Sequence, residues 1–177
     1  MIELQLMYFV FNLTQIPVFD THTCTWSEAQ TFTGESDGSF PSNRKYHGLV
    51  QIEYNVYVAG GTNGSDIFDD IWNLDLNTLI WKKIHQKIPR PVFFHSVSLS
   101  PFGEMTIFGG VTGMDFSSLI RSNELYSIWL KVPKLKELSW LAVCHYMDNN
   151  KVYKNCLESV QYIGIPYNYH SRLICKS

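Results

Sequence analysis

The chain has 177 residues, of which 45% are hydrophobic and 17% are charged, and its formal net charge is −2. This composition excludes an intrinsically disordered chain, and the charge argues against a nucleic-acid-binding surface. The six histidines and four cysteines are scattered without metal-binding spacing and no catalytic motif is present, so we expect no metal, no cofactor and no enzyme. The cysteine spacing predicts the reduced thiols of an intracellular protein. We expect the cytoplasm as its compartment, with the nucleus as a second one.

The N-terminal residues predict part of a sheet and not a membrane anchor. Residues 1–19 are apolar, but Asn12, Thr14 and Pro17 interrupt a membrane span. They also carry Glu3 and lack the basic start of a signal peptide. Asp20 then stands six residues before Trp26. The same spacing recurs from residue 75 to residue 81, so residues 18–26 are predicted to be the two outer strands of a repeated sheet.

The next segment predicts a complete four-stranded sheet. Its apolar and alternating runs are residues 46–53, 56–59, 69–75 and 80–84. Gly60 and Gly61 follow the second run, and glycines there permit a positive φ and a close approach of neighbouring backbone. Residues 34–43, rich in Gly, Ser, Asp and Pro, predict the loop that enters this sheet.

The same order returns about 49 residues later. Residues 55–61 (NVYVAGG) correspond to residues 104–110 (EMTIFGG), and His47 corresponds to His95, 48 positions on. Strands are predicted at 95–99, 105–108 and 123–128, with a longer loop at 111–121. A period near 50 with a double glycine after a strand is typical of a kelch-type β-propeller blade.

The predicted fold class is therefore mainly β. Residues 1–130 form a partial kelch propeller of about two and a half blades, and residues 131–177 form a small helical tail. Because a closed propeller has about 4–8 blades, we interpret the chain as a fragment or N-terminally truncated form of a longer propeller with about six blades.

The tail predicts three short helices. Residues 134–143 follow Pro133, which favours a first helical turn, and they carry apolar residues at helical spacing: Leu135, Leu138, Ala142 and Val143. Further helices are predicted at residues 152–162 and 166–173.

This order of blades and helices resembles the kelch-repeat substrate receptors of cullin-RING ubiquitin ligases. The resemblance covers about residues 46–173, and its most specific parts are residues 70–74, 91–95, 128–133 and 138–140. It implies a non-catalytic adaptor whose tail binds Elongin B/C through one box and cullin-2 through the next. It also implies that the propeller binds substrates through C-terminal degrons that end in glycine.

The Elongin-binding pattern is a leucine followed by a small and an aliphatic residue at intervals of four. Leu135, Ser139 and Val143 fit it, although Lys134 precedes the leucine where the family usually has a small residue. One helix would bury the leucine and the small residue in a groove of the partner.

Two further sets of tail residues match box patterns. A rival Elongin box, without the leucine, consists of Val152, Cys156 and Val160. The cullin-2 pattern fits Ile165, Pro166, Tyr169 and Leu173.

Three arginines, Arg44, Arg90 and Arg121, are predicted to contact the substrate. The first two precede inner strands and the third ends the long loop, and such loops rim the central opening of a propeller. An arginine there can hold a carboxylate with two hydrogen bonds, whereas the plain alternative is a solvated surface arginine. His47 and His95 are predicted to be structural residues that donate to the backbone.

The sequence is also compatible with a second class of function. The chain could be a generic kelch interaction scaffold or signalling regulator whose helices only cap the last blade. The exposure of Leu135 distinguishes the two, because a cap would bury this side chain and an Elongin box would leave it in solvent.

Overall fold

A computed structural model describes residues 13–113 and 120–149, with the backbone alone for residue 144 and residues 146–149. The chain divides into two compact units, Met1–Val132 and Pro133–Ser177. The strands of the first unit are β1 (Gln15–Asp20), β2 (Thr25–Gln30), β3 (Phe32–Thr33), β4 (Gly48–Ile52), β5 (Asn55–Ala59), β6 (Ile71–Asp75), β7 (Ile80–Ile84), β8 (Ser96–Leu99), β9 (Glu104–Phe108) and β10 (Leu125–Trp129).

Strands β4 to β7 form the predicted four-stranded sheet, here called the first blade. Each strand pairs antiparallel with the next, from β4 on one edge to β7 on the other. Strand β7 has the predicted bounds, and the other three begin or end within two residues of them. Four of the five residues of β5 are buried on alternate faces, because other strands pack on both sides of this sheet.

A fifth strand that the sequence did not predict, β3, covers the outer edge of the first blade. It runs parallel to β7, and the N–H groups of Phe32 and Gly34 donate to the carbonyls of Leu79 and Trp81, each at 2.8 Å. The Glu35 carboxylate accepts from the Lys83 N–H at 2.7 Å. The linker between repeats therefore satisfies backbone groups that an open edge strand would leave unpaired.

The remaining strands form two smaller sheets. Strands β8, β9 and β10 make a second blade with the same antiparallel order, and β1 and β2 form a hairpin that we call the half-blade. Within the described part of the chain, no strand pairs with the outer side of β10. The repeat predicted from the double glycines is therefore confirmed, and the last copy has three described strands.

Two apolar seams hold the sheets together. The first seam, between the half-blade and the first blade, includes Leu13, Ile16, Val58, Trp72, Leu74 and Trp81. The Trp81 indole also donates to the Leu13 carbonyl at 3.0 Å. The second seam, between the two blades, includes Tyr57, Ala59, Ile71, Val92, Met105, Ile107 and Ile128. Large apolar side chains buried on both faces of the first blade account for its position between the other two sheets.

Gly61 permits the closest approach between the inner strand and the turn after β5. Its φ is +95°, and a Cβ there would lie 2.8 Å from the Cβ of His47 and 2.9 Å from the Lys45 carbonyl oxygen. Gly64, with φ +105°, has nothing within 4 Å of the same position. Substitutions at the two glycines therefore distinguish the cost of a strained backbone, which both positions carry, from the cost of crowding, which only Gly61 carries.

We expect Gly61→Ala to destabilise the protein by about 1–3 kcal/mol more than Gly64→Ala, because both carry the strain of a positive φ but only the first overpacks the interior. Urea unfolding of the two variants measures this difference. Equal losses of stability would show that crowding at Gly61 is relieved by a small shift of the backbone.

In the second unit, the described residues form one helix, α1 (Leu135–Asn149). It is six residues longer at its C-terminus than the predicted helix, and Pro133 lies before its first turn. The Lys134 carbonyl begins it by accepting from the N–H groups of Glu137 and Leu138. The helices predicted at 152–162 and 166–173 lie outside the described residues. Among the described residues, no helix is long and apolar enough to cross a lipid bilayer.

Candidate functional site

Arg44, one of the three predicted substrate-binding arginines, lies in the interior of the first blade. Its side chain is 0% exposed and forms a two-point ion pair with Asp70, at 2.6 Å from Nη1 and 3.2 Å from Nη2. It also donates to the carbonyls of Gly60 and Ser42, each at 3.0 Å, and lies over the Phe68 ring. Because its guanidinium is buried and occupied, Arg44 does not contribute to a ligand-binding surface.

The carboxylate of Asp70 has an environment that keeps it ionised. Burial alone would raise its pKa, but the hydrogen bonds and charge of Arg44 and the hydrogen bond from the Trp72 indole outweigh burial, so the pKa is lowered. The Trp72 Nε1 lies 2.7 Å from Asp70 Oδ2. Arg44, Asp70 and Trp72 therefore form a buried polar group that joins the start of the inner strand to β6.

In the second blade, Arg90, Glu124 and Tyr126 form a similar but more exposed polar group. The Arg90 Nε lies 3.7 Å from Glu124 Oε2, and the Arg90 side chain is 64% exposed. Glu124 also accepts a hydrogen bond from Tyr126, as Asp70 does from the tryptophan two residues later. The hydrogen bond from Tyr126 is the main cause that lowers the pKa of Glu124, and the Arg90 charge contributes.

Arg121 is the predicted arginine that the structure leaves exposed and unpaired with any described carboxylate. It lines a pocket of about 450 Å³ together with Phe94, Ser96, Phe108, Val111 and Ser122. Its backbone and that of Phe93 both pair with Val111, which fixes the pocket wall. The pocket combines an unpaired cation with exposed aromatic rings.

The floor and the rim of this pocket lie at different positions of the repeat. Phe108 lies on the strand that forms the floor and corresponds to Ala59 in the first blade. The second blade covers Ala59. The floor therefore has the geometry of a surface on which another blade packs. The rim, formed by Phe94 and Arg121, lies at the start of the inner strand and the end of the long loop, so we take the rim as the surface available to a ligand.

His47 and His95 are buried at the seam between the blades, as predicted for structural residues, but their hydrogen bonding differs from the prediction. None of their ring nitrogens has a partner of ordinary geometry among the described residues. Burial lowers the pKa of His47 to about 4, with smaller contributions from Arg44 and His95. Burial also lowers the pKa of His95 to about 4, and the Ala59 carbonyl opposes this shift in part. Both imidazoles are therefore neutral at physiological pH.

The predicted Elongin-binding residues lie on α1. Leu135 is 79% exposed, Ser139 is exposed one turn later and Val143 is half-buried. The rival box of Val152, Cys156 and Val160 and the cullin-2 residues Ile165, Pro166, Tyr169 and Leu173 lie outside the described residues. Half-exposed Leu138 and Leu141 extend the apolar surface of the helix beside Leu135.

Sequence reasoning missed the residues next to the predicted arginines. Tyr46 lies beside the rim residue Phe94, and the two rings stack with centroids 3.9 Å apart. The Lys45 side chain in turn lies over the Tyr46 ring. The signal was available in the repeat, because Tyr46 and Phe94 are 48 positions apart and each precedes one of the repeated histidines.

The repeated antiparallel blades, the double glycines and the buried histidines define a kelch-repeat protein of mainly β fold. A family model described as the KLHDC2/KLHL20/DRC7 Kelch-repeats domain matches residues 11–148, and the chain belongs to this family. The chain is similar to Kelch domain-containing protein 10 of Homo sapiens, with 40% identity over 130 residues, which is 73% of this chain and 29% of the relative. The corresponding protein of Rattus norvegicus is 40% identical over 73% of this chain and 31% of its own length.

A third relative extends further along the chain. The Kelch domain-containing protein 10 homolog of Drosophila melanogaster is 35% identical over 181 aligned residues, covering 93% of this chain and 29% of the relative. The chain thus spans less than a third of the length of the curated relatives it matches. Membership of the family supports a role in protein interaction.

Proposed function

We propose that the chain belongs to a non-catalytic substrate-recognition adaptor of a cullin-2 RING ubiquitin ligase. In this function, α1 binds Elongin C of the Elongin B/C pair, and the rim of the blades binds the C-terminal degron of a protein substrate. The observation that carries the proposal is the exposure of Leu135 together with Ser139 on α1. The kelch repeat supports the substrate-binding half, and the cytoplasm, with the nucleus as a second compartment, is the proposed location.

The exposed face of α1 suits insertion into a groove. Residues spaced by four lie on one side of a helix, so Leu135, Ser139 and Val143 share a face. Leu135 is 79% exposed, so it contributes little hydrophobic stabilisation to the chain alone. Its burial in an apolar groove of a partner would be favourable. Ser139, one turn further on, is small enough to let the helix approach the groove closely.

The rim offers a chemistry that fits a chain terminus. Arg121 is exposed and has no carboxylate partner among the described residues, so its planar guanidinium can donate two hydrogen bonds to a carboxylate of a ligand. Arg90 is already close to Glu124, so a ligand carboxylate would have to compete for it. We therefore assign the carboxylate contact to Arg121, with Arg90 as a neighbouring charge.

We expect Elongin B/C to co-purify with the wild-type chain and not with Leu135→Asp, because a carboxylate in place of the leucine cannot be buried in an apolar groove without a large desolvation cost. The matched control is Lys136→Asp, which introduces the same side chain one position on, about 100° around the helix. It should retain Elongin B/C, and circular dichroism should show the same helix content for all three proteins.

The other outcomes assign the function differently. Binding that survives Leu135→Asp would move the Elongin box to Val152, Cys156 and Val160. A folded wild type that binds no Elongin would leave a kelch interaction scaffold or signalling regulator. If Elongin binds, cullin-2 capture by the complex should be lost on Pro166→Ala combined with Leu173→Asp.

A further inference from the structure

Phe94 of the rim and Tyr46, which stacks on it, are held in a backbone conformation that side chains of their size avoid. The φ of Tyr46 is 57° and that of Phe94 is 56°, and the two occupy the same position in consecutive repeats. A positive φ is uncommon for residues other than glycine and is an outlier for bulky ones. Glycine would adopt this conformation without strain, so the chain carries an aromatic ring at each position at a cost in stability.

Burial offsets this cost only in part, because Tyr46 is half-buried and Phe94 is exposed. Phe94 is 59% exposed although its ring stacks on that of Tyr46, and only the Phe93 ring behind it, at 5.2 Å between centroids, is buried. The backbone joins the same two residues, because the Phe94 N–H donates to the Tyr46 carbonyl at 3.1 Å. Tyr46 is half-buried and Phe94 is exposed, and strain that is kept at repeated positions within reach of solvent is a sign of a functional surface.

The charges beside the stack indicate the kind of ligand. The Lys45 Nζ lies 5.3 Å from the centre of the Tyr46 ring, and Arg121 lines the pocket with Phe94. Neither cation forms an ion pair with any described residue. The Tyr46–Phe94 stack thus has a cation on each side. Such a surface is complementary to a ligand that carries a carboxylate next to a flat group.

We propose that the Tyr46–Phe94 stack is the platform on which the peptide ligand of the rim lies, with the peptide planes against the rings and the ligand carboxylate at Arg121. This inference rests on the proposed substrate-binding function and adds Lys45, Tyr46 and Phe94 to it. Any planar group can stack on an aromatic ring, so the platform would bind an extended peptide backbone without regard to its side chains. Arg121 would make the binding depend on a carboxylate in the ligand.

The test starts from a library of random hexapeptides displayed with free C-termini, from which binders to the wild-type chain are selected. The strongest binder is then synthesised as the free acid and as the C-terminal amide. The double variant Tyr46→Gly/Phe94→Gly should bind the acid at least tenfold more weakly, while its urea unfolding midpoint stays level or rises because the strain is relieved. Tyr54→Gly, which removes an exposed aromatic ring from the turn between β4 and β5, is the matched control and should bind as the wild type does.

Separate results decide the platform and the proposed function. If amidation and Arg121→Gln both weaken binding but the double glycine variant binds like the wild type, the rim binds the peptide and the platform is wrong. If no peptide is selected, both proposals fall. If amidation has no effect but replacing an Asp or Glu of the peptide abolishes binding, the platform stands and the carboxylate is a side chain. If the glycine variant unfolds, Tyr46→Asn/Phe94→Asn replaces it, because asparagine tolerates the same φ.

Discussion

Replacing Arg44 by methionine should destabilise the protein by about 3–5 kcal/mol, because it leaves the Asp70 carboxylate, whose side chain is only 15% exposed, without its counter-ion. The Arg44 side chain is 0% exposed, and its guanidinium contacts both oxygens of Asp70. Methionine has a similar length but no donor, so the Gly60 carbonyl also loses its partner at 3.0 Å. Urea unfolding followed by tryptophan fluorescence measures the loss, since Trp72 donates to the same carboxylate.

Two further variants separate the ion pair from side-chain packing. Arg44→Met/Asp70→Asn should recover much of the stability, because the buried charge is removed while the asparagine oxygen can still accept from Trp72. Arg90→Met disrupts the exposed counterpart in the second blade, at 3.7 Å from Glu124, and should cost less than about 1 kcal/mol. Equal losses for Arg44→Met and Arg90→Met would mean that burial of the first pair adds nothing to its strength.

The period of the sequence was sufficient to predict the blades, because the same local chemistry occurs twice. A double glycine ends β5 and β9, and a histidine precedes β4 and β8. The place of residues 80–84 after the turn at residues 76–78 predicted β7 with its observed bounds. These features are local, since turn chemistry and strand alternation act over a few residues.

The role of Arg44 was not predicted because its partner, Asp70, is 26 residues away along the chain. Arg44 and Arg90 both precede inner strands, yet Arg44 stands three residues before His47 and Arg90 five before His95. Val92 occupies the position that corresponds to Arg44 and is buried in the seam. The alignment of the two repeats on their histidines therefore distinguishes Arg44, at a buried position, from Arg90, at an exposed one.

Strand β3 escaped prediction for a related reason. Its two residues, Phe32 and Thr33, have no alternation to detect, and their partner β7 begins 47 residues after the end of β3. Hydrogen bonds to a distant strand, and not local propensity, put them in a sheet. The rim illustrates the same limit, since the stacking of Tyr46 on Phe94 depends on how two blades pack.

The stability of the protein should fall as the pH decreases from about 6.5 toward 4, because His47 and His95 are neutral in the folded state. The pKa of each is lowered to about 4 by burial, whereas an unfolded histidine has a pKa near 6.5. Between these values the unfolded chain binds protons that the folded one excludes, so the free energy of unfolding decreases with falling pH. Each histidine contributes at most about 1.4 kcal/mol per pH unit, or roughly 3 kcal/mol over the whole range.

Urea unfolding of the wild type and of His47→Gln/His95→Gln at pH 7.5, 6.5 and 5.5 tests this expectation. The double variant should lose most of the dependence in this window, because carboxylates with lowered pKa values, such as Asp70, affect stability only at lower pH. His85→Gln is the matched control, since it makes the same substitution at an exposed histidine outside the seam. An unaltered slope in the double variant would mean that the two imidazoles take up protons in the folded state, and the seam between the blades would then have to admit water.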